Sequence, residues 1–238
     1  KKKLKIVLKK ILGVKEYPSY YTHGIHKRIN IVTNKSFNNF SKAANKAIKE
    51  KKTFLYFDRL FTIYNAVRSM PVRSNAVEVG AKKGGTTKFI DSITHPKCKI
   101  YCCDTFEGHV QIDKIKDGSV KLGDHGNIKF EQVKKYLKNR KNIKIIKGDI
   151  LKTYQKIKLQ NIGLVHLDVD VFIPTKFVLN KFFPAVKKGC VIIIDDYLNN
   201  NTPGVKLAVD QFVFNKKNKI RLYFSILLTG QAVIVKIK

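Results

Sequence analysis

The 238-residue chain is 44% hydrophobic and carries 15 Phe and 10 Tyr, which excludes intrinsic disorder and provides enough apolar surface for a sizeable core. Lys and Arg number 48 against 17 Asp and Glu, a formal net charge of +31, yet only six of the basic residues are Arg. A nucleic-acid reader relies on Arg for bidentate contacts, so the charge reads first as lysine-rich composition and second as an anionic-surface partner.

The chain opens on "KKKLKIVLKKILGV". Lys5, Lys9 and Lys10 interrupt its apolar stretch and no small-residue cleavage site follows, so it does not read as a signal peptide. Leu4, Leu8, Ile11 and Leu12 fall at helical spacing. Residues 1–14 are therefore expected to form a basic amphipathic helix, with two readings: peripheral contact with an anionic membrane, or packing on the domain or on a second copy in a homo-oligomer. No apolar run approaches the ~18 residues of a spanning helix. Cys98, Cys102, Cys103 and Cys190 fit neither a zinc spacing nor a disulfide framework; buried thiols in a reducing compartment, the cytoplasm, are the expectation. Residues 1–53 are expected as a basic, partly helical extension, and 54–238 as one α/β domain.

Helical spacing covers 41–50 and 54–69, the second with Phe54, Phe57, Leu60, Phe61 and Tyr64 on one face and Pro71 as its stop. Strands and helices then alternate. "NAVEVG", "KIYCCD", "IKIIKGD", "IGLVHLDVD" and "GCVIIIDD" read as strands. The helices between and after them are "GGTTKFIDSI", "IKFEQVKKYLKN", "PTKFVLNKFF" and "GVKLAVDQFVFN". "IRLYFSIL" and "QAVIVKIK" close the chain as a hairpin around Thr229-Gly230. Alternation of this kind means right-handed βαβ units: a doubly wound, Rossmann-like, mostly parallel sheet with an antiparallel hairpin at its edge. The polar stretch from Thr105 to Asn127, bracketed by His109 and His125, is long for a loop and reads as a substrate lid.

Ligands of open α/β sheets sit beyond the carboxyl ends of the strands, and the polar clusters fall there. In "VEVGAKKGGTT", Gly80, Gly84 and Gly85 allow a tight turn and close approach before a helix N-terminus. The spacing is neither a Walker A loop nor a GxGxxG fingerprint. Asp104 ends the second strand, where an acid accepts from ribose hydroxyls, and Asp149 ends the third. Each acid alone could cap a helix; together they lay out an adenosine site, with Asp149 set to accept from the adenine amino group. The last acids are the least expected. Asp168, Asp170, Asp195 and Asp196 crowd the ends of two apolar runs, although two charges about 4 Å apart repel by roughly 4 kcal/mol at an effective dielectric of about 20.

The ordered set "EVG…GG", "DTFEG", "KGD", "HLDVD", "GCVIIIDDY" and "PGVKLAVDQF", from Arg59 to Phe212, resembles the macrocin-type sugar O-methyltransferases. The resemblance implies a class I methyltransferase that uses S-adenosylmethionine, bound by Glu78, Gly80, Gly84, Gly85, Thr86, Asp104, Thr105 and Asp149. It implies that Asp168, Asp195 and Asp196 bind magnesium, which would offset the crowded carboxylates, orient two acceptor hydroxyls and lower the pKa of one. Asp170, on the same side as Asp168 if the strand is still extended, would be the general base. His166 shares that alternation and is either a second catalytic group or a satisfied core histidine. Tyr197 either packs on the acceptor or belongs to the core. After "EG" the chain departs from the family, reading "HVQIDKIKDG", which leaves the acceptor sugar open. The rival readings are methylation of another diol such as a catechol, a nucleic-acid methyltransferase, and an inactive module that binds anionic surfaces. No Asn/Asp-Pro-Pro-aromatic motif or Pro-Cys nucleophile supports the second of these, and the intact acids argue against the third.

Overall fold

The computed structural model describes residues 35–238, with side chains from residue 38. The expected amphipathic helix over 1–14 lies outside the described residues. Two helices lead in, α1 (Lys35–Lys49) and α2 (Phe57–Ser69). They precede β1 (Asn75–Val79), α3 (Gly85–Ile93), β2 (Ile100–Asp104), α4 (Phe130–Leu137) and β3 (Ile143–Lys147). A short α5 (Ile150–Thr153) follows, then β4 (Ile162–Leu167), α6 (Phe172–Phe182), β5 (Val186–Ile194), α7 (Pro203–Val213), α8 (Lys216–Lys219), β6 (Leu222–Ile226) and β7 (Ala232–Lys236). All seven expected strands form.

The strands make one sheet in the order β3-β2-β1-β4-β5-β7-β6. The first five run parallel, whereas β7 pairs antiparallel with both β5 and β6. This is the doubly wound sheet with an antiparallel edge expected from the alternation, and the class I methyltransferase arrangement that the resemblance implied. The winding reverses between β1 and β4, which opens a crevice beyond their carboxyl ends.

Two cores sandwich the sheet, and strand parity assigns residues between them. Ala76, Leu164, Val191 and Ile193 face α1–α3, packing on Phe40, Leu60, Ile63 and Phe89. Val77, Val79, Val165, Leu167, Ile192 and Ile194 face the other way, toward Val178, Phe182, Val205 and Phe212 of α6 and α7. Phe40 of α1 is fully buried, its ring within 4.7–5.1 Å of the Phe57, Phe61 and Tyr64 rings. The helix expected from residue 54 starts only at Phe57, and Phe54 stands 54% exposed with Lys82 Nζ 4.0 Å from its ring centroid. All four cysteines are free and buried, as expected. Among the described residues no helix is long and apolar enough to cross a membrane.

Candidate active site

The carboxyl ends of β1, β2, β4 and β5 open into a cavity of about 590 Å³, within the roughly 300–1,000 Å³ typical of small-molecule sites. Backbone geometry fixes its floor. Gly80 has φ +94°, and a Cβ there would lie 1.6 Å from the carbonyl oxygen of Asp168. Only glycine lets β1 end this close to β4. Gly84 (φ +76°) precedes α3, and Gly85 packs directly on the main chain of Lys52 and Thr53. Thr86, the next residue of α3, lines the cavity and hydrogen-bonds Thr53 through its hydroxyl at 2.7 Å.

Asp104 ends β2 on the cavity wall. Its carboxylate accepts from the backbone N–H of Lys82 and of Phe106, both at 2.6 Å. Burial pushes its pKa above the usual carboxylate range against those two hydrogen bonds. Thr105 lines the cavity beside it, its hydroxyl donating to the Gly108 carbonyl at 2.7 Å. Asp149 caps α5, accepting from Leu151 N at 2.9 Å, and its second oxygen accepts from Gln111 Nε2 at 2.6 Å. Thus the helix-cap reading of Asp149 holds, and the residue also faces the cavity.

Glu78, His166 and Asp195 lie abreast on the α1–α3 face of β1, β4 and β5. Glu78 pairs in register with His166, and its Oε1 is 3.2 Å from His166 Nδ1. The Thr87 hydroxyl donates to its other oxygen. Glu78 and His166 are 1% and 0% exposed, buried beneath the cavity rather than on its wall. Burial opposes a charge on His166, but the carboxylates of Asp195 and Glu78 outweigh it and lift the pKa to about 10.

Asp168, Asp195 and Asp196 each present a carboxylate oxygen, all within 4.8 Å of one another. Burial and then the repulsion of Asp195, Asp170 and Asp196 hold the Asp168 pKa well above its ordinary value. For Asp195 burial acts in the same direction but loses to His166, Arg59 and Gln231, leaving the pKa lowered. Gln231 Nε2 donates to it at 2.7 Å, and Arg59 Nη1 ion-pairs with it and reaches Asp196 at 3.3 Å. Three converging carboxylates, one of them destabilised by the other two, fit a hard divalent cation.

The strand expected to run to Asp170 ends at Leu167. Asp170 adopts φ +61°, so the main chain turns out of the strand before it. The simple argument from strand alternation therefore does not apply, although Asp170 still lines the same cavity as Asp168. Burial, and then Asp196, raise the Asp170 pKa to about 8. Tyr197 is a core aromatic: its hydroxyl donates to Asp210 at 2.7 Å and its ring packs on Phe224.

The segment from Thr105 to Lys129 contains no helix or strand and closes one side of the cavity. Asp117, fully buried, holds it down: its oxygens accept from Phe172 N, at the start of α6, at 2.6 Å, and from Asp113 N at 2.7 Å. Gly204 makes room for that carboxylate, since a Cβ there would lie 1.8 Å from Asp117 Oδ1. Arg59, Gln231 and Asp117 are site residues absent from the sequence reading. A lone Arg within an aromatic helix face and an Asp in a polar loop give no local signal of such partners.

The chain matches the macrocin O-methyltransferase family over residues 31–224. No curated protein matches it. Among solved structures it resembles the O-methyltransferase NovP, with TM-score 0.63, 20% identity, and 79% of this chain and 82% of that one covered. It also resembles the calicheamicin methyltransferase CalS11, with TM-score 0.60, 17% identity, and 90% and 99% covered. CalS11 in its apo form is described as a TDP-rhamnose 3′-O-methyltransferase. A putative caffeoyl-CoA O-methyltransferase from Staphylococcus aureus aligns with TM-score 0.55, 14% identity, and 83% and 91% covered.

Proposed function

The chain belongs to the macrocin O-methyltransferase family, and from that premise we propose that it moves the methyl group of S-adenosylmethionine to one hydroxyl of a sugar diol with the help of a divalent cation. Asp104 accepts from the ribose hydroxyls, Asp149 from the adenine amino group, and the Gly80–Thr86 turn receives the methionine end. Asp168, Asp195 and Asp196 would hold magnesium, which when bound orients the diol and lowers the pKa of the reacting hydroxyl. Asp170 takes the proton of that hydroxyl. The hydroxyl oxygen attacks the methyl carbon, and the bond from that carbon to sulfur breaks, leaving neutral S-adenosylhomocysteine.

The observation that carries this reading is the convergence of four carboxylates, Asp168, Asp170, Asp195 and Asp196, in the same cavity as Asp104 and Asp149. Likeness to CalS11 makes a nucleotide-linked deoxysugar the first acceptor class to test. The buried thiols suit a reducing compartment such as the cytoplasm. The deciding experiment incubates the protein with labelled cofactor, magnesium and a panel of nucleotide-linked sugars, lipid-linked sugars and catechols, with products read by mass spectrometry. A methylated sugar that forms with magnesium and not with chelator is expected. Transfer that persists unchanged in chelator would refute the role given to the aspartates.

A further inference from the structure

A second cluster of donors faces the cavity from the lid side. Oδ2 of Asp170 lies 3.8 Å from Nε2 of His109 and 3.7 Å from Nε2 of His125. All three donor atoms fall within 4.8 Å of one another. The two imidazoles come from opposite ends of the lid, and main-chain bonds bring them together: His109 N donates to Asp124 O at 3.1 Å and Gly123 N to His109 O at 2.9 Å. Their rings meet edge to face at 5.4 Å. The His109 side chain is only 10% exposed, and its Nε2 is buried without a hydrogen-bond partner. Buried polar atoms in folded proteins are nearly always hydrogen-bonded, so an unpaired buried nitrogen aimed at a carboxylate points to a partner between them.

We propose that His109, His125 and Asp170 form a second cation site, distinct from the three-aspartate cluster and suited to an imidazole-seeking divalent metal such as Zn²⁺. Tetrahedral bonds of about 2.0–2.1 Å would separate donors by roughly 3.3–3.4 Å, so the two imidazole–carboxylate spacings of 3.8 and 3.7 Å need to close by about 0.3–0.5 Å. Two nitrogens and one oxygen leave a fourth position for water. Softness sorts the metals: an all-carboxylate site suits magnesium, and an imidazole-rich one suits zinc. Because two ligands belong to the lid and the third follows β4, the metal ties the lid to the sheet. Given the role of Asp170 proposed above, filling this site would also withdraw the base.

Lys82 is the natural competitor. Its Nζ lies 3.1 Å from His125 Nδ1. While it donates there, the proton of the neutral ring sits on Nε2, facing Asp170. A metal on Nε2 moves that proton to Nδ1 and turns Lys82 away. Its removal should therefore strengthen the site.

The test uses the full chain with saturating magnesium, Co²⁺ as a visible probe and Zn²⁺ by calorimetry. One equivalent of Co²⁺ should bind with absorption bands in the visible and be displaced by Zn²⁺. His109→Ala and His125→Ala should each weaken Zn²⁺ binding at least tenfold, and Lys82→Met should tighten it, with circular dichroism and Tm as the check on folding. Absence of Zn²⁺ uptake by the magnesium-saturated wild type would overturn the proposal, as would unchanged affinity in the folded double histidine variant. Asp195→Asn separates the two sites: loss of magnesium binding there with Zn²⁺ binding retained is expected. If magnesium never binds at all, the reading of the aspartates fails while this site stands or falls on its own titration.

Discussion

Arg59 and Asp195 lie 136 residues apart in sequence and form an ion pair at the edge of the cavity, with the same guanidinium nitrogen reaching Asp196 at 3.3 Å. Burial opposes the charge on Arg59, yet Asp195 and Asp196 keep its pKa above the ordinary value. The guanidinium thus neutralises two of the carboxylates assigned to the cation. It would therefore compete with the proposed cation, and a charge-assisted hydrogen bond is worth about 1.5–3 kcal/mol. Arg59→Gln should bind magnesium roughly tenfold more tightly by calorimetry. Weaker binding would mean that Arg59 orients the ligands instead of competing for them.

Asp104 ties the loop through the amides of Lys82 and Phe106, and in the proposed cofactor site its remaining lone pairs would accept from the ribose. Asp104→Ala removes both. At about 1.5–3 kcal/mol for each hydrogen bond to a charged group, cofactor affinity should fall at least tenfold. Calorimetry with S-adenosylhomocysteine measures this directly, and an affinity equal to wild type would move the ribose elsewhere in the cavity.

The strands were legible because each is a short apolar run closed by Gly or Asp, and the buried parallel ones carry hydrophobic residues on both faces. Asp104, Asp149 and the aspartate pair after β5 were legible for the same reason, being acids at predictable strand ends. Parity could also have placed Glu78. It shares a face with Ala76, so it points into the α1–α3 core instead of the crevice. The end of β4 was not legible: "LDVD" continues the alternation, and an Asp tolerates the left-handed conformation that turns the chain at Asp170. Arg59 and Asp117 act on partners far away in sequence, and local pattern carries no trace of such pairings.

Asp117 anchors the lid from a fully buried position. Asp117→Ala leaves the amides of Phe172 and Asp113 without their acceptor and opens space beside Gly204. A loss of about 1–3 kcal/mol follows, or roughly 2–12 °C in Tm for a chain of this size. Limited proteolysis should cut within residues 105–129 faster than in wild type. An unchanged Tm together with an unchanged cleavage pattern would show that the lid is held by other contacts.

The last prediction joins pH to the cation. The Asp170 pKa stands at about 8 against an ordinary 3.8, raised by burial and by Asp196, and that of Asp168 is raised well above 3.8 by burial and its carboxylate neighbours. Between pH 4 and 8 the folded protein therefore holds protons here that the unfolded chain releases. Stability from Asp170 is fully present below about pH 4 and is lost as pH rises through 8. The proposed cation would displace the proton of its ligand Asp168, because metal ligands bind deprotonated, and its positive charge would lower the pKa of the neighbouring Asp170. The rise in Tm on adding magnesium should accordingly be small at pH 6 and grow toward pH 8.5, with protons released to the buffer on binding. Calorimetry in buffers of different ionisation enthalpy counts them. A magnesium-induced shift that is the same at both pH values, with no proton release, would show that the cation does not bind at this cluster.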